Sequence, residues 1–184
     1  MGYFPLCMDI SEKTVLLIGC GKQMRDKEEK LRPFGAKLVQ LHHLNKEALD
    51  LHPVFVVAGD LSHEEAEATA QACRERGIPV NVVDRPEISS FAFSSMITAG
   101  DLTVSISTGG KNPTAAAVLR GRIQSQIPDR TEEILTWLTT IRQKLRSALP
   151  PEEYPAVLRS ITAAAFEENR PLTAEECRAY SPLL

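Results

Sequence analysis

The stretch that decides the fold is Val-Leu-Leu-Ile-Gly-Cys-Gly-Lys-Gln-Met-Arg-Asp-Lys, residues 15–27. An apolar run leads into Gly19 and Gly21, and a charged, helix-compatible segment follows. In the fingerprint Gly-x-Gly-x-x-Gly, the first glycine permits a tight turn, the second lets a pyrophosphate approach, and the third lets the helix pack closely. Met24 occupies the third position. On spacing alone, a strand-to-helix turn without a ligand is about as frequent as a working dinucleotide site.

Apolar runs continue to alternate with helical stretches along the chain. Ser62 and Glu65 have the spacing of a capping box, which predicts the start of a helix. We predict strands at residues 15–18, 37–41, 54–58, 80–84 and 102–108. This alternation predicts an α/β fold, with a Rossmann-like parallel sheet domain over residues 1–112 and a helical region over residues 113–184.

Composition narrows the class of protein. The chain has 184 residues and a formal net charge of −3, which argues against general affinity for nucleic acid or anionic membranes. Its four cysteines form no Cys-x-x-Cys pair and its histidines share no ligand spacing, so we expect neither a disulfide framework nor a metal site. No apolar run approaches the roughly twenty residues of a membrane span. We therefore expect a cytoplasmic protein.

Two further segments are candidates for chemistry. Asp84 ends a predicted strand, where open α/β sheets place their sites, and can act either as a general base or as a loop cap near Pro86. Residues 108–113, Thr-Gly-Gly-Lys-Asn-Pro, combine backbone amides, an ammonium group and a helix N-terminus, which attract anions. An ordinary glycine turn before a solvated helix is the alternative interpretation.

The segment after the second strand departs from the usual dinucleotide pattern. Residues 41–45 are Leu-His-His-Leu-Asn and contain no acid for the ribose hydroxyls. Residues 45–53 are too short for another strand with its connections.

The C-terminal part has helical periodicity, with helices predicted at residues 131–149 and 152–169. The first of these carries an apolar stripe that either the sheet domain or a second subunit must cover, formed by Ile134, Leu135, Leu138, Ile141 and Leu145.

Taken in order, several motifs resemble the N-terminal module of siroheme synthases and the stand-alone precorrin-2 dehydrogenases, some of which are also sirohydrochlorin ferrochelatases. They are Tyr-Phe-Pro-Leu at residues 3–6, the opening stretch, Gly-Ile-Pro-Val-Asn-Val-Val-Asp at 77–84, Ser-Phe at 90–91 and Ser-Ile-Ser-Thr-Gly-Gly-Lys-Asn-Pro at 105–113. The resemblance covers most of residues 1–127.

The resemblance implies oxidation of precorrin-2 to sirohydrochlorin with NAD as hydride acceptor, and a homodimer formed through the helical region. It implies that Asp84 is catalytic. The implied cofactor-binding residues are Gly19, Gly21, Lys22, Gln23, His43, Leu44, Gly59 and Asp60. The implied tetrapyrrole-binding residues are Ser107, Thr108, Gly109, Gly110 and Lys111.

The opening stretch also differs from the family pattern. The family has a small residue where this chain has Met24, and an Arg-Lys pair where it has Asp26 and Lys27. We expect Met24 to push the first helix outward and to weaken cofactor binding. Two alternatives stay open: a non-catalytic relative that binds tetrapyrrole or a pathway partner, and a ferrochelatase that uses Asp84 without NAD.

Overall fold

A computed structural model describes residues 3–183, apart from the side chain of residue 46. The chain divides into two compact units, the first ending at Phe93 and the second beginning at Ser94. The boundary predicted between residues 112 and 113 lies inside the second of these units, directly before a helix.

The first unit is a parallel sheet with helices. Its strands and α-helices are β1 (Thr14–Ile18), α1 (Lys22–Leu31), β2 (Lys37–Leu41), β3 (Phe55–Ala58), α2 (His63–Glu75) and β4 (Val80–Val82). The strand order is β2-β1-β3-β4 and every pairing is parallel. Every residue of β3 is buried, as expected for a strand covered on both faces. The predicted Rossmann-like α/β fold is confirmed.

The short segment after β2 forms a 3₁₀ helix, Lys46–Leu51, instead of a strand. Asn45 caps it by accepting a hydrogen bond from the Ala48 amide at 2.8 Å. The prediction that no strand fits here is confirmed, and β2 lies at one edge of the sheet.

Met24 is wholly buried in the apolar cluster on the α1 side of the sheet, together with Leu31. A Cβ atom at Gly59 would lie 3.0 Å from Met24 Sδ and 3.1 Å from Val83 Cγ2. The thioether thus fills the space that a side chain at position 59 would need. Met24, which we expect to push α1 outward, is thus buried against the position where Gly59 has no side chain.

The second unit consists of a hairpin and four α-helices within the described residues. Its elements are β5 (Ser95–Ala99), β6 (Leu102–Ile106), α3 (Pro113–Gln124), α4 (Thr131–Ala148), α5 (Tyr154–Glu167) and α6 (Ala174–Arg178). Two of these, β5 and α6, were missed. The strand predicted at residues 102–108 ends at Ile106, and it pairs antiparallel with β5 instead of joining the parallel sheet.

The hairpin turn explains this pairing. Gly100 has a φ of 56°, which permits a two-residue connection between β5 and β6. A Cβ atom at this position would lie 2.5 Å from Glu132 Cγ in α4. The turn therefore fits against α4 only if position 100 has no side chain.

The apolar stripe of α4 is covered within its own chain. Ile134, Ile141 and Leu145 are buried in one cluster with Ile161 and Ala165 of α5. α5 therefore covers these three residues, for which we expected the sheet domain or a second subunit, whereas Leu135 is half-buried outside this cluster.

The pairing of Met24 with Gly59 predicts an energetic coupling. Gly59→Ala alone should lower the free energy of unfolding by about 1–3 kcal/mol through overpacking. Met24→Ala alone should lower it by about 2–5 kcal/mol through a cavity. In the Met24→Ala background, the cost of Gly59→Ala should fall, because the clash with the thioether is gone while the close contact with Val83 Cγ2 remains. Denaturant unfolding of the four proteins measures the coupling.

Gly121→Ala is the matched control, because nothing lies within 4 Å of a Cβ atom at that position. It should show no coupling to Met24→Ala. Additive effects of Gly59→Ala and Met24→Ala would contradict the steric pairing.

Candidate functional site

The turn after β1 contacts the turn after β3 through the backbone. Gly19 and Gly21 have φ angles of 109° and 111°, which side chains rarely permit. A Cβ atom at Gly19 would lie 1.8 Å from the Gly59 carbonyl oxygen, and the Gly59 amide donates to Ile18 O at 3.0 Å. A Cβ atom at Gly21 would lie 2.8 Å from Asp60 Oδ2. The structure therefore brings these four predicted residues together.

The N-terminus of α1 is suited to an anion. Gly21 is the N-cap residue, no side chain caps the helix, and its first turn contains no acidic residue. The first amides of a helix carry partial positive charge and lack partners within the helix. The predicted cofactor-binding residues Lys22 and Gln23 belong to this first turn, so the turn can hold a pyrophosphate.

Asp84 lies at the same edge of the sheet. It follows β4 with a φ of 61°, and its carboxylate is exposed. Gln23 Nε2 donates a hydrogen bond to Asp84 Oδ2 at 2.9 Å. The residue predicted to be catalytic is therefore connected directly to the helix that begins at the glycine turn.

Lys27 adds a cation beside this pair. Its ammonium nitrogen lies 4.1 Å from the centre of the Phe93 ring. Burial lowers the pKa of Lys27 and the charge of Lys30 lowers it further, whereas Asp84 acts in the opposite direction. Sequence reasoning did not assign Lys27 to the site, although it lies four residues after Gln23 on the same helical face.

The segment that follows Asp84 returns along β4 and fixes its position. The Val80 amide donates to Ser90 Oγ at 2.7 Å, and the Val82 amide donates to Ser89 Oγ at 2.9 Å. Asn81 Nδ2 donates to the Phe91 carbonyl oxygen at 3.0 Å. These bonds hold both ends of the turn that carries Asp84. The sequence pattern does not identify Ser89 and Asn81, because their hydrogen bonds form only when the segment after Asp84 folds back along β4.

The end of β2 is tied to the glycine turn. The Gly19 amide donates to Leu41 O at 2.8 Å, and Gln40 Nε2 donates to Gly19 O at 3.2 Å. His43, predicted to lie near the adenosine, is exposed, and Leu44 packs against the cluster on the α2 side. His43 Nδ1 lies 2.8 Å from Glu65 Oε1 of α2. The sequence pattern identifies Glu65 only as part of the capping box.

The predicted tetrapyrrole-binding residues form an exposed loop between β6 and α3. Thr108 Oγ1 donates to the Asn112 carbonyl oxygen at 2.9 Å, and the Gly109 amide donates to Ser107 Oγ at 3.2 Å. Gly110 and Lys111 complete the loop. No acidic residue lies in the first turn of α3, so this helix start also favours anions.

The described residues contain neither a metal-binding cluster nor a membrane-spanning helix. Among residues 3–183, no group of three or more His, Cys, Asp or Glu side chains is placed to hold a metal ion. Within the same range, no helix is both long and apolar enough to cross a membrane.

The fold and the glycine turn define an α/β protein of the Rossmann-like class, and comparisons with known proteins agree. A family described as "Putative NAD(P)-binding" matches residues 38–95. Siroheme synthase of Thioalkalivibrio sulfidiphilus is 30% identical over 173 residues, which are 83% of this chain and 35% of that protein. Siroheme synthase of Hahella chejuensis is 31% identical over 166 residues, which are 79% of this chain and 35% of that protein.

The solved structure of SirC, a precorrin-2 dehydrogenase, shares the fold. Its TM-score is 0.69 at 14% sequence identity, with 97% of this chain and 96% of that chain covered. The chain spans about a third of the length of the curated relatives that it matches. It belongs to the family of precorrin-2 dehydrogenases and sirohydrochlorin ferrochelatases that includes a module of siroheme synthase.

The serine bonds along β4 predict a specific loss of stability. Ser90→Ala removes the acceptor of the buried Val80 amide and should lower the free energy of unfolding by about 1–3 kcal/mol. Ser147→Ala is the control, because Ser147 is exposed on α4 and its hydroxyl bonds only to Gln143 O. The control should change stability by less than about 0.5 kcal/mol in denaturant unfolding. Equal effects of the two variants would contradict the proposed role of the Ser90 bond.

Proposed function

We propose that this chain oxidises precorrin-2 to sirohydrochlorin, with NAD as the hydride acceptor. The observation that carries the proposal is the hydrogen bond from Gln23 to Asp84, which connects a carboxylate to the glycine turn. The matched NAD(P)-binding family and the siroheme synthase relatives support it.

The residues of the first unit fit a dinucleotide. The open backbone at Gly19 and Gly21 and the uncapped start of α1 would hold the pyrophosphate, with Lys22 and Gln23 beside it. The residues after β2 and after β3 would border the adenosine, namely His43, Leu44, Gly59 and Asp60. Bound NAD would supply a hydride acceptor.

Asp84 would act as the general base of the reaction. Oxidation of precorrin-2 removes a hydride and a proton, and the Asp84 carboxylate would accept the proton. Gln23 orients the carboxylate through the bond to Oδ2, which leaves Oδ1 for the substrate. The products are sirohydrochlorin, NADH and a proton.

The loop before α3 would bind the carboxylates of the tetrapyrrole. Ser107 and Thr108 supply hydroxyls, Gly109 and Gly110 supply exposed backbone, and Lys111 supplies an ammonium group. The acid-free start of α3 adds partial positive charge.

Asp84→Asn tests the chemistry, because it removes the base and keeps the shape and the acceptor oxygen. The turnover of precorrin-2, followed by absorbance, should fall at least about 100-fold. NAD affinity, measured by calorimetry, should stay close to that of the unmodified protein. The control is Asp101→Asn, which removes an exposed carboxylate in the hairpin turn of the second unit and should leave turnover unchanged.

Other outcomes would overturn the proposal. Tetrapyrrole binding without NAD binding or oxidation would identify a non-catalytic relative. Iron insertion into sirohydrochlorin without nucleotide, and without NAD-dependent oxidation, would identify a ferrochelatase.

We also propose a homodimer, because α3 exposes several apolar side chains. Only Ala116 of this helix is buried, whereas Val118, Leu119 and Ile123 are 53%, 43% and 37% exposed. Exposed apolar side chains on one helix are typical of a subunit interface.

We place the protein in the cytoplasm, since its four cysteines are free, as in reducing compartments.

Replacing two of these side chains tests the dimer. Sedimentation at micromolar concentration should show a dimer for the unmodified chain and a monomer for Leu119→Glu/Ile123→Glu. The control Gln124→Glu adds a charge at an exposed position of the same helix and should stay dimeric. A monomeric unmodified chain would overturn the proposal.

A further inference from the structure

The region where an adenosine ribose would lie has no acid on β2, although most NAD-binding folds place one there. The position itself is well defined, because Leu41 O and the Gln40 side chain both bond to Gly19. The residues directly after Leu41 must therefore lie beside the glycine turn.

A carboxylate reaches this region from α2. Glu65 Oε1 lies 2.8 Å from Nδ1 of His43, which is two residues beyond the end of β2. Glu65 is separated from His43 by 22 positions in the sequence and belongs to the first turn of the helix after β3. A carboxylate of α2 therefore lies beside the chain that leaves β2.

Hydrogen bonds fix the orientation of this carboxylate. Glu65 Oε2 accepts from the Ser62 amide at 3.0 Å and from Ser62 Oγ at 2.7 Å. These bonds from Ser62 lower the pKa of Glu65, with a smaller contribution from His43. The group is therefore a charged acceptor held in one place, even though it is partly exposed.

We propose that Glu65, oriented by Ser62 and His43, selects NAD over NADP by accepting a hydrogen bond from the ribose hydroxyls. The inference rests on the proposed use of a nicotinamide dinucleotide. A 2′-phosphate at the same place would face a fixed negative charge, whereas a hydroxyl can donate to it. Residues 41–45 contain no lysine or arginine that could offset this repulsion.

The test measures the dissociation constants of NAD and NADP by calorimetry for the unmodified protein and for Glu65→Gln. Glutamine can keep the capping bond to the Ser62 amide, so α2 should remain folded, which circular dichroism checks. The unmodified protein should bind NAD at least roughly tenfold more tightly than NADP. In Glu65→Gln, this ratio should fall by about tenfold, mainly through tighter NADP binding.

Glu64→Gln is the matched control, because Glu64 lies in the same first turn of α2. It removes the same negative charge from the same helix N-terminus as Glu65→Gln does. It should leave the ratio close to that of the unmodified protein. An equal fall in both variants would overturn the inference in favour of a general charge effect.

The remaining outcomes separate this inference from the proposed function. A clear NAD preference that survives Glu65→Gln would overturn the role of Glu65 and leave the proposed function intact. Preference of the unmodified protein for NADP would also overturn the inference. Failure to bind either nucleotide would overturn both proposals.

Discussion

The site depends on one backbone contact, between Gly19 and the carbonyl of Gly59. At this point the chain leaving β1 and the chain leaving β3 are so close that a Cβ atom on Gly19 would lie 1.8 Å from the Gly59 oxygen. Because both turns are confined, the helices that follow them begin at defined positions. Gln23 of α1 consequently reaches Asp84, and Glu65 of α2 reaches His43.

Gly59 also explains how an unusual residue is accommodated. A bulky side chain at position 24 would ordinarily prevent the close packing that the third glycine of the fingerprint provides. Here the missing side chain of Gly59 leaves room for the Met24 thioether, and a flexible methionine fills irregular space well. The two positions are 35 residues apart, so a local motif cannot reveal their dependence.

The sequence was most informative where a signal is local. The bounds of β2 and the Ser62 capping box were predicted as found, because each is encoded within a few residues. β5 was missed because only Ile97 and Thr98 among its residues are typical strand formers. The covering of the α4 stripe by α5 and the contact of His43 with Glu65 join chain segments that are separated by about 20 residues. Their spatial proximity had to come from the structure.

The serine bonds along β4 have a consequence for association between chains. Val80 and Val82 direct their amides away from β3, and an exposed strand of this kind can pair with a strand from another molecule. The hydroxyls of Ser89 and Ser90 occupy those amides. Two short side chains therefore end the sheet without a further strand, and they protect this edge from intermolecular β-pairing and the aggregation that follows it.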